Sequence, residues 1–122
     1  MAHIPGMIRA MAAVPRVHLA DPQANAQEIL ALLRQADEQR AELCVFPELC
    51  LCGYTCADLL LLPALLDAAD EALARLVKAT RKLPLVIIAG APLRHGSTLY
   101  NCAVVFTQGR VLGVVPKTYS PD

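Results

Sequence analysis

Apolar and polar positions fall into blocks along this chain, and the period changes from block to block. Residues 7–14 form an apolar run broken only by Arg9, the right length for a buried strand. Asp21-Pro22 then has the form of a helix start, a capping side chain ahead of a proline at the first helical position. Ala26, Ile29, Leu30, Leu33 and Ala36 follow at the 3-4-7 spacing of an amphipathic helix, with Gln35, Asp37, Glu38 and Arg40 left for water. Residues 43–46 predict a second buried strand, closed by Pro47, and a mixed loop covers residues 48–58. A second helix is predicted from about Pro63, with Leu66, Ala69, Leu73, Leu76 and Val77 turned inward. Residues 85–89 predict a third strand, β-branched at Val86, Ile87 and Ile88. Residues 99–106 and 111–115 are two more, and Thr107-Gln108-Gly109-Arg110 between them is a hairpin turn with glycine at the tight position. The order β-α-β-α-β-β-β, uninterrupted by repeats or linkers, predicts a single α/β unit over residues 1–122 that stops on a loop at residues 116–122.

Composition adds one thing to that picture. The 122 residues are 56% hydrophobic and 18% charged, with a mean hydropathy of +0.44, which excludes a disordered chain. That is more apolar surface than a small domain hides by itself, so part of the surface is expected to be covered by more chain or by a partner. Eleven basic residues balance eleven acidic ones with no basic stripe, so nucleic acid is not an expected partner. The runs at residues 59–66 and 83–93 are too short to span a bilayer, and the N-terminal run reads as a strand rather than a signal peptide; no membrane role is expected. Cys44, Cys50, Cys52, Cys56 and Cys102 are odd in number and irregular in spacing and fit no common zinc pattern. They read as small buried hydrophobes in a reducing, cytoplasmic setting, with no metal. His3, His18 and His95 read as surface residues.

Two residues carry candidate chemistry. Glu48 follows the strand at residues 43–46, and the carboxyl ends of strands are where open α/β sheets build their sites. Held there against apolar walls it would serve as a general base. Lys117 follows the last strand, where a buried cation would both partner that carboxylate and stabilise an oxyanion on an amide carbonyl. Taken singly, each is ordinarily a solvated surface residue.

The ordered set is more specific. Phe46-Pro47-Glu48-Leu49, Gly53-Tyr54-Thr55-Cys56 with Asp58-Leu59, Gly90-Ala91-Pro92-Leu93, the Leu-Tyr-Asn-x-Ala segment at residues 99–103 and Val115-Pro116-Lys117-Thr118-Tyr119 together resemble the carbon–nitrogen hydrolase (nitrilase) superfamily. Within it they are most similar to the N-terminal glutaminase domains of glutamine-dependent NAD synthetases, from Met7 onward. The resemblance implies a nitrilase-like α-β-β-α sandwich, of which this is the N-terminal part, and a Glu-Lys-Cys triad. On the matching positions Glu48 is the base, Lys117 stabilises the tetrahedral intermediate and Tyr54 lines a glutamine pocket. The family's nucleophilic cysteine lies beyond the lysine, so residues 1–122 are expected to be a partial domain, inactive alone, with Cys50 and Cys52 not serving in its place. Ser120-Pro121-Asp122 stands where the family usually has Leu-Pro-Asn. The ammonia would go to a C-terminal synthetase domain that uses ATP and Mg to amidate nicotinic acid adenine dinucleotide, and a homo-oligomer is expected; no cofactor is expected in residues 1–122. Another amidase of the superfamily, or a noncatalytic α/β interaction module, would share much of this pattern.

Overall fold

The computed structural model describes residues 5–48, 50–52 and 63–118. Seven elements follow the predicted order: β1 (Ala10–Ala12), α1 (Pro22–Glu38), β2 (Leu43–Val45), α2 (Pro63–Ala79), β3 (Val86–His95), β4 (Thr98–Thr107) and β5 (Arg110–Thr118). They build one five-stranded sheet in the order β1-β2-β3-β4-β5. β1, β2 and β3 run parallel, and β3, β4 and β5 form an antiparallel meander.

Both helices form for reasons visible in their residues. The Asp21 carboxylate accepts a hydrogen bond from the Ala24 N–H at 3.1 Å, and Pro22 opens α1. All five residues assigned to its inner face are buried, as are Leu66, Ala69, Leu76 and Val77 of α2, while Leu73 is half-buried. Parallel strands in sequential order, joined by right-handed crossovers, place successive helices on the same face of a sheet. Accordingly α1 packs on α2, and Ile29, Leu33, Ala72 and Leu76 share a core with Cys44, Ile87, Val104 and Phe106.

The strands differ from expectation at three places, and the last strand runs to Thr118, taking Pro116 and Lys117 into β5 rather than leaving them on a loop. The first is only three residues long, and Met7, Ile8 and Val14 around it are exposed rather than buried. β1 is an edge strand with a neighbour on one side only, and its second face is uncovered among the described residues. The third strand runs to His95, six residues beyond the predicted end at Ala89, through Gly90 and Pro92. The Ile88 and Gly90 carbonyls point toward the β2 side, accepting from Phe46 N–H at 2.9 Å and Leu51 N–H at 3.3 Å. By the two-residue period Pro92 turns its nitrogen the same way, beyond the end of β2, so its missing N–H breaks no bond to β4. The predicted Gln108-Gly109 turn is present, with φ of 49° and 82°, the doubly left-handed form that suits a two-residue hairpin.

Candidate functional site

The site lies at the carboxyl end of β2. Phe46 extends the ladder by one residue through its bond to Ile88, and Pro47 ends it. The Cys50 N–H then donates to the Pro47 carbonyl at 3.3 Å, closing a turn that presents Glu48. Leu51 returns to the sheet through its bond to Gly90, so the turn is anchored to β3 on both sides of the glutamate.

The lysine arrives from the far edge. In β4 and β5, Val105 pairs with Gly113, Ala103 with Val115 and Asn101 with Lys117. Alternation puts these pairs on the face that also carries Val45, Ile88 and Gly90, opposite the helices. A cleft of about 360 Å³ opens there, bounded by Val45, Ile88, Asn101, Val115, Glu48 and Lys117. Across it the Lys117 Nζ donates to Glu48 Oε1 at 3.2 Å. Residues 69 apart in sequence thus meet, as the sequence expected. Their surroundings do not match it: the Glu48 side chain is 39% exposed and that of Lys117 72%, so neither is buried. The apolar walls are present on one side only, because nothing among the described residues covers this face. Tyr54 lies outside the described residues, as do Cys56 and His3.

Burial disfavours ionisation of the thiols near the cleft. Burial pushes Cys50 up to about 11 from its ordinary 9.0, and its thiol donates to the Gly90 carbonyl at 3.5 Å. Its thiolate fraction at neutral pH is on the order of 10⁻⁴, too small for a nucleophile. Burial also raises Cys44 and Cys102, and Cys52 is fully buried. Among the described residues no group of three or more His, Cys, Asp or Glu side chains is arranged to hold a metal ion. Among the described residues no helix is long and apolar enough to cross a membrane. His18 is half-buried rather than free on the surface, its Nε2 3.3 Å from Glu28 Oε1.

Two residues of this region had no role in the sequence reading. Asn101, 8% exposed, faces the cleft directly opposite Lys117. Its signal was the alternation of the Leu-Tyr-Asn-x-Ala segment, which places Asn101 and Ala103 on one face. Asn25 is 1% exposed and bonds to the Leu51 carbonyl behind Glu48. It stands four and eight residues before Ile29 and Leu33, on the helix face that otherwise holds only apolar side chains.

The arrangement therefore offers a carboxylate acceptor and an ammonium donor side by side, over an apolar floor, with no thiol in line with them among the described residues. The profile of the family described as carbon-nitrogen hydrolase matches residues 9–119. A glutamine-dependent NAD(+) synthetase from Mycobacterium tuberculosis is 47% identical over 116 residues, 95% of this chain and 17% of that protein. The crystal structure of a glutamine-dependent NAD(+) synthetase from Cytophaga hutchinsonii superposes with a TM-score of 0.84 at 28% identity, covering 92% of this chain and 19% of that one. A nitrilase-superfamily amidase from Nesterenkonia, at 24% identity and a TM-score of 0.77, shares the fold over 96% of this chain and 46% of its own. The chain thus spans about a fifth of the length of the synthetases it matches.

Proposed function

Because this chain belongs to the carbon-nitrogen hydrolase family, we propose that it is the front part of a glutamine amide hydrolase that supplies ammonia for NAD synthesis from nicotinic acid adenine dinucleotide. The observation that carries the reading is the 3.2 Å contact between Glu48 and Lys117 at the carboxyl end of the parallel strands. In this reading Glu48 takes the proton of a cysteine thiol contributed from beyond residue 122. The thiolate attacks the side-chain amide carbon of glutamine, and Lys117 stabilises the oxyanion that forms. The proton held by Glu48 passes to the departing nitrogen, ammonia leaves, and water then cleaves the thioester to glutamate. Tyr54 lines the glutamine pocket. Domain 1–122 is thereby a partial nitrilase-like unit, and a further layer of chain covers the open sheet face, where it buries the Glu–Lys pair and raises the basicity of Glu48.

ATP and Mg belong in this reading to a C-terminal synthetase domain, and no step here passes through them. Buried free thiols at Cys44, Cys50 and Cys102 support a reducing, cytoplasmic setting. The exposed apolar side chains of β5 favour a homo-oligomer or a second domain packed nearby.

The test is Glu48→Gln in the full-length protein. The amide keeps the shape and loses the ability to accept a proton, so glutamine hydrolysis should fall by about 10² to 10⁴. NAD synthesis from added ammonia should persist. Wild-type glutamine turnover in this variant would remove Glu48 from the base role.

A further inference from the structure

Asn25 is the one polar residue among the inward-facing positions of α1 and is 1% exposed. An asparagine inside a helix is a poorer helix former than alanine by roughly 0.5 kcal/mol, and a buried carboxamide left unbonded would cost more. Here every major capacity is used. Oδ1 accepts from the His18 N–H at 2.6 Å. Nδ2 donates one proton to the His18 carbonyl and the other to the Leu51 carbonyl, each at 2.8 Å. The partners also fix the orientation of the amide, since an N–H faces the oxygen and two carbonyls face the nitrogen.

The Leu51 end of this clamp is what connects it to chemistry. The Leu51 N–H is held by the Gly90 carbonyl of β3, and its own carbonyl by Asn25 of α1. One step further along, the Cys52 carbonyl accepts from the Ala20 N–H at 2.9 Å. On the near side, the Cys50 N–H closes the turn over Glu48. The peptide that presents the glutamate is thus pinned to the sheet in front and to the helix behind, and Asn25 supplies the side-chain bond from the helix. An apolar residue of equal size would fill the space without directing the turn.

We propose that Asn25 is a positioning residue for Glu48, its buried carboxamide fixing the turn that holds the carboxylate against Lys117. The inference rests on the reading of Glu48 as the general base. A base displaced by about 1 Å loses up to 10²-fold in rate, while a substrate pocket built elsewhere is undisturbed. The defect from losing the clamp therefore falls on kcat and spares KM.

The experiment compares three variants of the full-length protein with wild type, each assayed well below its melting temperature. Asn25→Leu removes all three bonds at similar volume. Asp21→Ala removes the helix cap from the same helix without touching the turn, and so controls for lost stability. Glu48→Gln tests the base itself. Asn25→Leu should lower kcat for glutamine hydrolysis about tenfold or more with KM changed less than about threefold. Asp21→Ala should lower the melting temperature and leave kcat within about twofold, since a cap acts on stability alone. Should Asn25→Leu fail to fold, Asn25→Ala, which leaves room for a water, must show the same kcat-selective loss. Equal kcat losses in the Asn25 and Asp21 variants, or a wild-type kcat at Asn25, overturn the inference while an inactive Glu48→Gln keeps the catalytic reading. An active Glu48→Gln overturns both.

Discussion

Glu48 and Lys117 meet in a half-open environment, and that decides what their contact does. An exposed ion pair contributes about 0–1 kcal/mol, so this one is not what holds the loops in place. The backbone bonds of Phe46, Cys50 and Leu51, with Asn25 behind them, do that work. Cys50 is the residue beside the site whose burial has a measurable signature. Its folded-state value of about 11 lies above the ordinary 9.0, so the unfolded chain loses this proton first as pH rises. The stabilisation is complete below pH 9 and is lost between about pH 9 and 11, amounting to roughly 1–3 kcal/mol. Cys44 and Cys102 shift the same way and add to it. Thermal melts from pH 8 to 11 should show a falling melting temperature, with a smaller fall in Cys50→Ala; identical slopes would mean that the thiol is already solvated. Both charged residues were legible because Phe46-Pro47-Glu48-Leu49 and Val115-Pro116-Lys117-Thr118-Tyr119 resemble segments of the family; a local reading of strand ends misplaces Lys117, which lies within β5. Asn25 was not, since a polar residue between apolar neighbours on a helix gives no hint of the backbone groups it meets.

Strand ends and turns were read with uneven success, and the hairpin between β4 and β5 shows why. This two-residue connection has left-handed backbone at both positions, and the glycine of Gln-Gly announces a tight turn locally. A Cβ added at Gly109 would also sit 3.0 Å from the Arg81 Cβ, in the turn after α2. Gly109→Ala should therefore destabilise the fold by about 1–3 kcal/mol, from φ strain and contact combined. Gly113, with ordinary φ and nothing within 4 Å, is the control, and its alanine variant should change stability by less than about 0.5 kcal/mol. Denaturant melts of the two variants decide this; equal costs would place the Gly109 effect outside the turn. By contrast, the length of β3 was hidden because Gly90 and Pro92 signal a strand's end to any local reading. Their tolerance depends on where β2 stops, a fact of pairing rather than of residue type. The overestimate of β1 has the same origin, since hydropathy does not say which strand lies at an edge.

At the scale of the molecule, the surplus of apolar residues has an address. Sequential parallel strands send both helices to one side, and the other side is left with Val45, Ile88, Val105 and Val115 around the cleft. Val115 is 61% exposed, and Leu112 and Val114 of the edge strand β5 are exposed as well. Hydropathy alone anticipated an uncovered surface; only the crossover geometry says that it is this face and that Glu48 and Lys117 stand at its rim. A contiguous apolar face of this kind rarely persists on a monomer in water, and an apolar edge strand pairs readily with another chain. The 122-residue chain prepared alone should therefore bind a hydrophobic dye such as ANS and sediment as more than a monomer. It should also release no ammonia from glutamine, since the proposed mechanism takes its thiol from beyond residue 122. Val45→Thr with Val115→Thr places hydroxyls on the face while keeping β-branched strand formers, so it should weaken dye binding and self-association without lowering the melting temperature. A wild-type chain that stays monomeric and dye-free would mean that the face is tolerated in water. The proposal that a further layer of chain covers it would then lose its physical motive.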